Sequence, residues 1–146
     1  MKKVLAILMA ACLILLVFAG CGTDDANTDP SNAGTSGDPV KIVLLINGTL
    51  GDKSFFDSAQ NGMDLIKEKY GDRVETQTVE MTYDATKWTP ALIEFSEDAD
   101  TDIIISGTWQ MVDRVIEVAP DYPDKKYIVY DAEVDYSSGD YSNVYS

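Results

Sequence analysis

The sequence predicts an α/β chain built on a three-layer, Rossmann-like parallel sheet. Three observations predict it. Strand-like and helix-like segments alternate from residue 40 to residue 130. The strand-like runs at residues 40–46 and 102–106 are rich in Val and Ile and apolar on both faces, as in strands covered on both sides. The segments between them carry apolar residues at three- and four-residue spacing, the mark of helices with one buried face.

The first strand, residues 40–46, has Lys41 as its one polar residue and stops at the loop Asn47-Gly48-Thr49-Leu50-Gly51. A helix follows, with Ala59, Met63, Ile66 and Tyr70 on one face. Ser54 and Asp57 have the spacing of a capping box at its start, and Gly71 suits its C-terminal end. Residues 74–81 read as a second strand, less apolar and therefore nearer an edge. Thr89 as cap, Pro90 in the first turn and Trp88 stapled on Ile93 predict the start of a second helix. Residues 102–106 form a third strand, followed by a loop at residues 107–110. Val112, Val115, Ile116 and Ala119 give a third helix its buried face, ended by Pro120. Residues 126–130 make a fourth strand, and a short fifth is predicted near residues 143–145. In such a sheet ligands bind at the carboxyl ends of the strands, where the strand order reverses. The loops at residues 47–56, 81–88, 107–111 and from Asp131 onward are therefore the candidate site.

The chain before residue 40 is of another kind. Lys2 and Lys3 precede an unbroken run of apolar and small residues from Val4 to Gly20, and then Cys21. A charged start, an apolar middle and small residues before a cut are the pattern of an export signal. Phe18-Ala19-Gly20-Cys21 resembles the lipobox of bacterial lipoprotein signals, which implies cleavage before Cys21 and lipidation of its thiol. The other reading is an uncleaved anchor, for which the run is at the short limit of about 20 residues. Residues 22–39 hold Gly, Asp, Asn, Ser, Thr and Pro, with Ala26 and Ala33 the only aliphatic side chains, and read as a flexible linker. The expected organisation is a signal peptide at 1–20, a tethered linker at 21–39 and an α/β lobe at 40–146. The expected location is the extracytoplasmic face of the cell membrane.

Composition narrows the chemistry. The formal charge is −14 from 25 acidic and 11 basic residues. Loss of Lys2 and Lys3 with a cleaved leader would take it to −16. Nucleic acid is excluded as a partner, because phosphate binding needs a basic surface. Histidine is absent, which removes Ser-His-Asp and Cys-His catalysis and every His-based metal site. The two cysteines are Cys12, inside the apolar run, and Cys21, so a mature disulfide is not expected. No cofactor or metal is implied. An enzyme reading would rest on Asp84, Asp113 and Asp131 as strand-end carboxylates, and a flavodoxin-like reading on Thr49 and Ser54 as the phosphate-loop hydroxyls. Neither has a specific motif.

Three motifs carry a resemblance to a known family. Asp52-Lys53-Ser54-Phe55 is followed by Ser58-Ala59 and Gly62. The third strand leads into Gly107, Trp109 and Asp113, and Tyr122-Pro123-Asp124-Lys125-Lys126-Tyr127 precedes the fourth. In this order, behind a lipobox, they resemble the basic membrane protein family of substrate-binding lipoproteins, nucleoside-binding type. The resemblance implies the N-terminal lobe of a type I periplasmic-binding-protein fold and the solute-binding component of an ABC transporter. It implies a nucleoside-like ligand, an ABC permease as partner and no enzymatic activity; a lipid-anchored sensory module is the alternative. It also implies a second lobe of similar size, so that this sequence is expected to be a fragment or truncated product with half a cleft.

The resemblance implies the site residues too. Phe55 stands where nucleoside-binding members stack an aromatic on the base; the alternative is a core Phe. Asn47 stands where such members carry Asp, and both donates and accepts hydrogen bonds. Trp109 lines the cleft or packs in the core. Asp113 holds a ribose hydroxyl or base edge, or is a solvated helix residue. Asp131 faces ligand or sets a turn. Asp52 bonds within its own loop or caps the helix.

Overall fold

The computed structural model describes residues 37–146; the leader, Cys21 and most of the linker lie outside the described residues. From Val40 the chain alternates as expected: β1 (Val40–Ile46), α1 (Phe55–Tyr70), β2 (Val74–Glu80), α2 (Trp88–Glu97), β3 (Thr101–Gly107), α3 (Trp109–Val118), β4 (Lys126–Tyr130) and β5 (Val144–Tyr145). The five strands form one sheet in the order β2-β1-β3-β4-β5, every pairing parallel. The fold is therefore α/β as the sequence predicts, with β2 at an edge.

Strand alternation explains the layers. Val43 and Leu45 point to the side of α2 and α3, where they join Ile104, Met111, Val115, Tyr127 and Val129 in one core. Ile42, Leu44 and Ile46 point to α1 and pack with Phe56 and Met63. A strand apolar on both faces is the sequence cause of this sandwich, and each fully buried Leu or Ile contributes about 1.5–3 kcal/mol.

The two faces are unequally covered. Two helices lie on one face and α1 alone on the other, because the β1–β2 connection runs toward the β2 edge while the β2–β3 and β3–β4 connections run the opposite way, and right-handed crossovers of opposite direction fall on opposite faces. A groove of about 780 Å³ stays open beside α1, lined by Ile66, Tyr70, Ile103, Ile105 and Ile128 among others. This explains the partial failure of the expected α1 core face: Met63 is buried, whereas Tyr70 is 39% exposed.

Three local expectations need correction. Ser54 makes no side-chain cap; the α1 donors are taken by the Asp52 carboxylate. Thr89 does not cap α2, which begins one residue earlier, after a 3-10 turn (Ala85–Lys87) whose start Asp84 caps. Trp88 therefore lies inside the helix rather than ahead of it, and its indole Nε1 donates to the Thr82 carbonyl at 2.9 Å. On α3 the buried residues are Met111, Val115 and Val118, continuing into Ala119, while Val112 and Ile116 are half-buried flanks.

Candidate functional site at the carboxyl edge of the sheet

The chain leaves β1 for β2 on one side, then crosses back to β3 on the other. The loops after β1 and β3 thus diverge around a crevice at the carboxyl edge. The backbone marks the same edge. Among the described residues, the non-glycine residues with positive φ are Lys53 (54°), Thr82 (62°), Thr108 (71°) and Asp131 (55°). One falls in each loop at the carboxyl ends of β1, β2, β3 and β4. Left-handed backbone at non-glycine residues costs free energy and concentrates at functional sites.

Asn47 follows β1 and is 2% exposed. Its Nδ2 donates to Thr108 Oγ1 at 2.9 Å and to Gln110 Oε1 at 3.3 Å, which ties the β1 loop to the start of α3 across the crevice. Its Oδ1 is buried without a partner among the described residues, as is Ser106 Oγ at the end of β3. Trp109 opens α3 and is 77% exposed, so it is not a core residue. Asp113 is exposed one turn further on the same helix, within the i, i+4 reach that joins one helix face.

A second group lies on the α1 side. Phe55 opens α1 half-buried, with its ring stacked on Tyr130 (centroids 5.4 Å apart, planes at 28°) and edge-on to Phe56 (5.3 Å, 80°). Phe56 in turn meets Tyr83 edge-on at 6.3 Å. Asp131 is exposed directly after Tyr130. Burial, then the nearby charges of Asp131 and Asp52, push the Tyr130 phenol up to about 12, so it stays protonated. Its hydroxyl is buried and unpartnered among the described residues.

The loop between β1 and α1 is held by two carboxylates. Asp52 accepts from the backbone N–H groups of Ser54 (2.9 Å), Phe56 (3.0 Å) and Asp57 (3.2 Å). Asp57 accepts from Gly51 (2.7 Å) and Lys53 (2.8 Å). These bonds hold Lys53 in its left-handed conformation and set Phe55 at the loop exit. The N–H bonds from Phe56 and Ser54 keep the Asp52 carboxyl below the usual carboxylate range. Asp52 thus serves its own loop and cap.

The five expected residues share one edge but split into two groups. Asn47, Trp109 and Asp113 belong to the α3 side, Phe55 and Asp131 to the α1 side. Sequence reasoning passed over Tyr130, Thr108 and Gln110. Tyr130 had a readable signal, since it ends a strand whose carboxyl end faces the site. Thr108 and Gln110 had none, because their role depends on the crossing geometry. Asp84 is engaged by Thr86 N and Oγ1, and no group of three or more acidic or thiol side chains converges on a metal position among the described residues.

The comparisons with known proteins agree with the fold. Residues 39–146 match the family described as ABC transporter substrate-binding protein, PnrA-like. Basic membrane protein A2 of Borrelia garinii subsp. bavariensis is 29% identical over 131 residues, covering 90% of this chain and 34% of the relative. Basic membrane protein A of Borreliella burgdorferi is 30% identical over 132 residues, with the same coverage. A crystal structure of ABC transporter system solute-binding proteins from Aeropyrum pernix K1 superposes with a TM-score of 0.61 at 30% identity. It covers 73% of this chain and 27% of that one. The chain spans about a third of the length of the curated relatives it matches. With the family matched over most of its length, three motifs in order and an all-parallel sheet behind them, the chain belongs to the Bmp family of PnrA-like ABC transporter substrate-binding proteins.

Proposed function

We propose that this chain is the N-terminal ligand-binding lobe of an extracytoplasmic solute-binding protein. It is held to the membrane through lipidated Cys21, captures a nucleoside or a similarly flat small molecule, and passes it to an ABC permease without chemical change. The observation that carries this reading is the placement of strained backbone and accessible aromatic surface at one edge. Each of the four carboxyl-edge loops holds one left-handed non-glycine residue, and the same edge presents Trp109 and the half-buried Phe55. Flat rings beside fixed polar groups suit a base or another planar ligand, because stacking needs little further ordering. Asp113 is the accessible polar partner on the α3 side and Asp131 on the α1 side, while buried Asn47 braces Thr108 and Gln110 behind them.

The two tryptophans provide the test. Trp88 is 4% exposed and Trp109 is 77% exposed, so a ligand at the edge meets Trp109 alone. Titration with adenosine, guanosine, inosine and free ribose should quench fluorescence saturably for the nucleosides, and Trp109→Phe should abolish the quench. A signal that survives in Trp109→Phe, or none up to millimolar nucleoside, would refute the reading.

A further inference from the structure

We propose that Tyr130 is a positioning residue that fixes the ring plane of Phe55 and so sets how this lobe stacks on a planar ligand. The proposal rests on the nucleoside-binding reading above. Phe55 opens a helix at the edge of a loop, where a ring is free to turn unless neighbours hold it. Two neighbours hold it here. Tyr130 stacks on it at 5.4 Å and 28°, and Phe56 stands nearly perpendicular to it at 5.3 Å and 80°. Phe55 is half-buried between them, and the part of its ring that stays exposed is what a ligand would meet.

Each holding ring is itself seated on a glycine at a strand end. Gly107 is the register partner of Tyr130 across β3 and β4, and a Cβ at Gly107 would collide with the Tyr130 ring. A Cβ at Gly48, just after β1, would collide with the Phe56 ring in the same way. The plane of Phe55 is therefore referred to the sheet through ring-on-backbone contacts rather than through the mobile end of a side chain. The Tyr130 hydroxyl takes no part, since it has no partner among the described residues. The ring does the positioning, and phenylalanine should replace it.

The test uses the full chain in three variants: Tyr130→Phe, Tyr130→Leu and Gly107→Ala. In the ligand-free protein, the Phe55 ring protons, assigned with Phe55→Leu, carry the ring-current shift of the neighbouring tyrosine. That shift should persist in Tyr130→Phe and vanish in Tyr130→Leu. Adenosine affinity should stay within about twofold in Tyr130→Phe and fall about fivefold or more in both Tyr130→Leu and Gly107→Ala. An unmoved Phe55 shift in Tyr130→Leu, or unchanged adenosine affinity there, would overturn the positioning role while leaving nucleoside binding intact. Failure of the unmodified chain to bind any nucleoside would overturn both. If Gly107→Ala does not fold, the Phe and Leu pair at residue 130 decides alone.

Discussion

Tyr130 shows how a single side chain is caught between stability and placement. Its ring closes the α1-side cluster, yet its hydroxyl is buried with no partner among the described residues. An orphaned polar atom in the interior costs about 1–3 kcal/mol. Tyr130→Phe removes the atom and keeps the ring, so it should stabilise the lobe by about 1 kcal/mol, read as a higher urea midpoint with an unchanged slope. Tyr127 is the contrast three residues earlier. It is fully buried, but its hydroxyl lies 2.7 Å from Ser96 Oγ, so it has no such cost. Alternation along β4 sends these two tyrosines to opposite faces. The sequence run shows that alternation, but not which hydroxyl finds a partner, because Ser96 is contributed by α2.

The loop between β1 and α1 is the element on which the site depends most. Asp52 makes three backbone contacts at the α1 start and holds the loop ahead of it. Its folded pKa lies below the unfolded value of about 3.9. The stabilisation it gives is therefore complete above about pH 4 and is lost as pH falls through the lower folded value. Asp52→Asn should lower the thermal midpoint by a few degrees at pH 7. It should also flatten the fall in midpoint between pH 4 and pH 2, measured by circular dichroism. The Asp98 carboxylate will keep part of that fall. It is bound by Lys41 Nζ at 2.9 Å and Thr101 Oγ1 at 2.7 Å, and lies near pKa 2. The element boundaries show what was readable. β1 and β4 occupy the residues expected, because hydrophobic runs bounded by polar loops leave little choice of register. The first helix starts at Phe55 as expected, though with a different capping side chain, whereas α2 and α3 begin earlier than expected. Short Asp side chains can bond backbone donors from several positions, and the choice of Asp52 over Ser54 depends on a left-handed Lys53 that no local pattern announces.

At the scale of the whole molecule, the lobe and its tether are separate problems. The sequence of strands and helices made the parallel sheet legible, and the loops at its carboxyl edge followed from the general rule for such sheets. The division of the site into two groups was not legible. It arises because Phe55 and Trp109 open helices that lie on opposite faces of the sheet, a consequence of the β2-β1-β3 crossing. The proposed tether rests on Cys21. Cys21→Ser should abolish incorporation of labelled palmitate and shift the protein from the membrane pellet to the soluble fraction. Unaltered labelling would reject the assignment.

The open groove beside α1 has a consequence for behaviour in solution. An apolar strip of Ile66, Ile103, Ile105 and Ile128 meets water on a molecule with a strong excess of carboxylates. Mutual repulsion keeps copies apart only over the Debye length, about 30 Å at 0.01 M salt and 8 Å at 0.15 M. Colloidal stability should therefore fall as electrolyte is added, the reverse of salting-in. Light scattering across that range should show larger species at the higher ionic strength, and Ile105→Lys should suppress them.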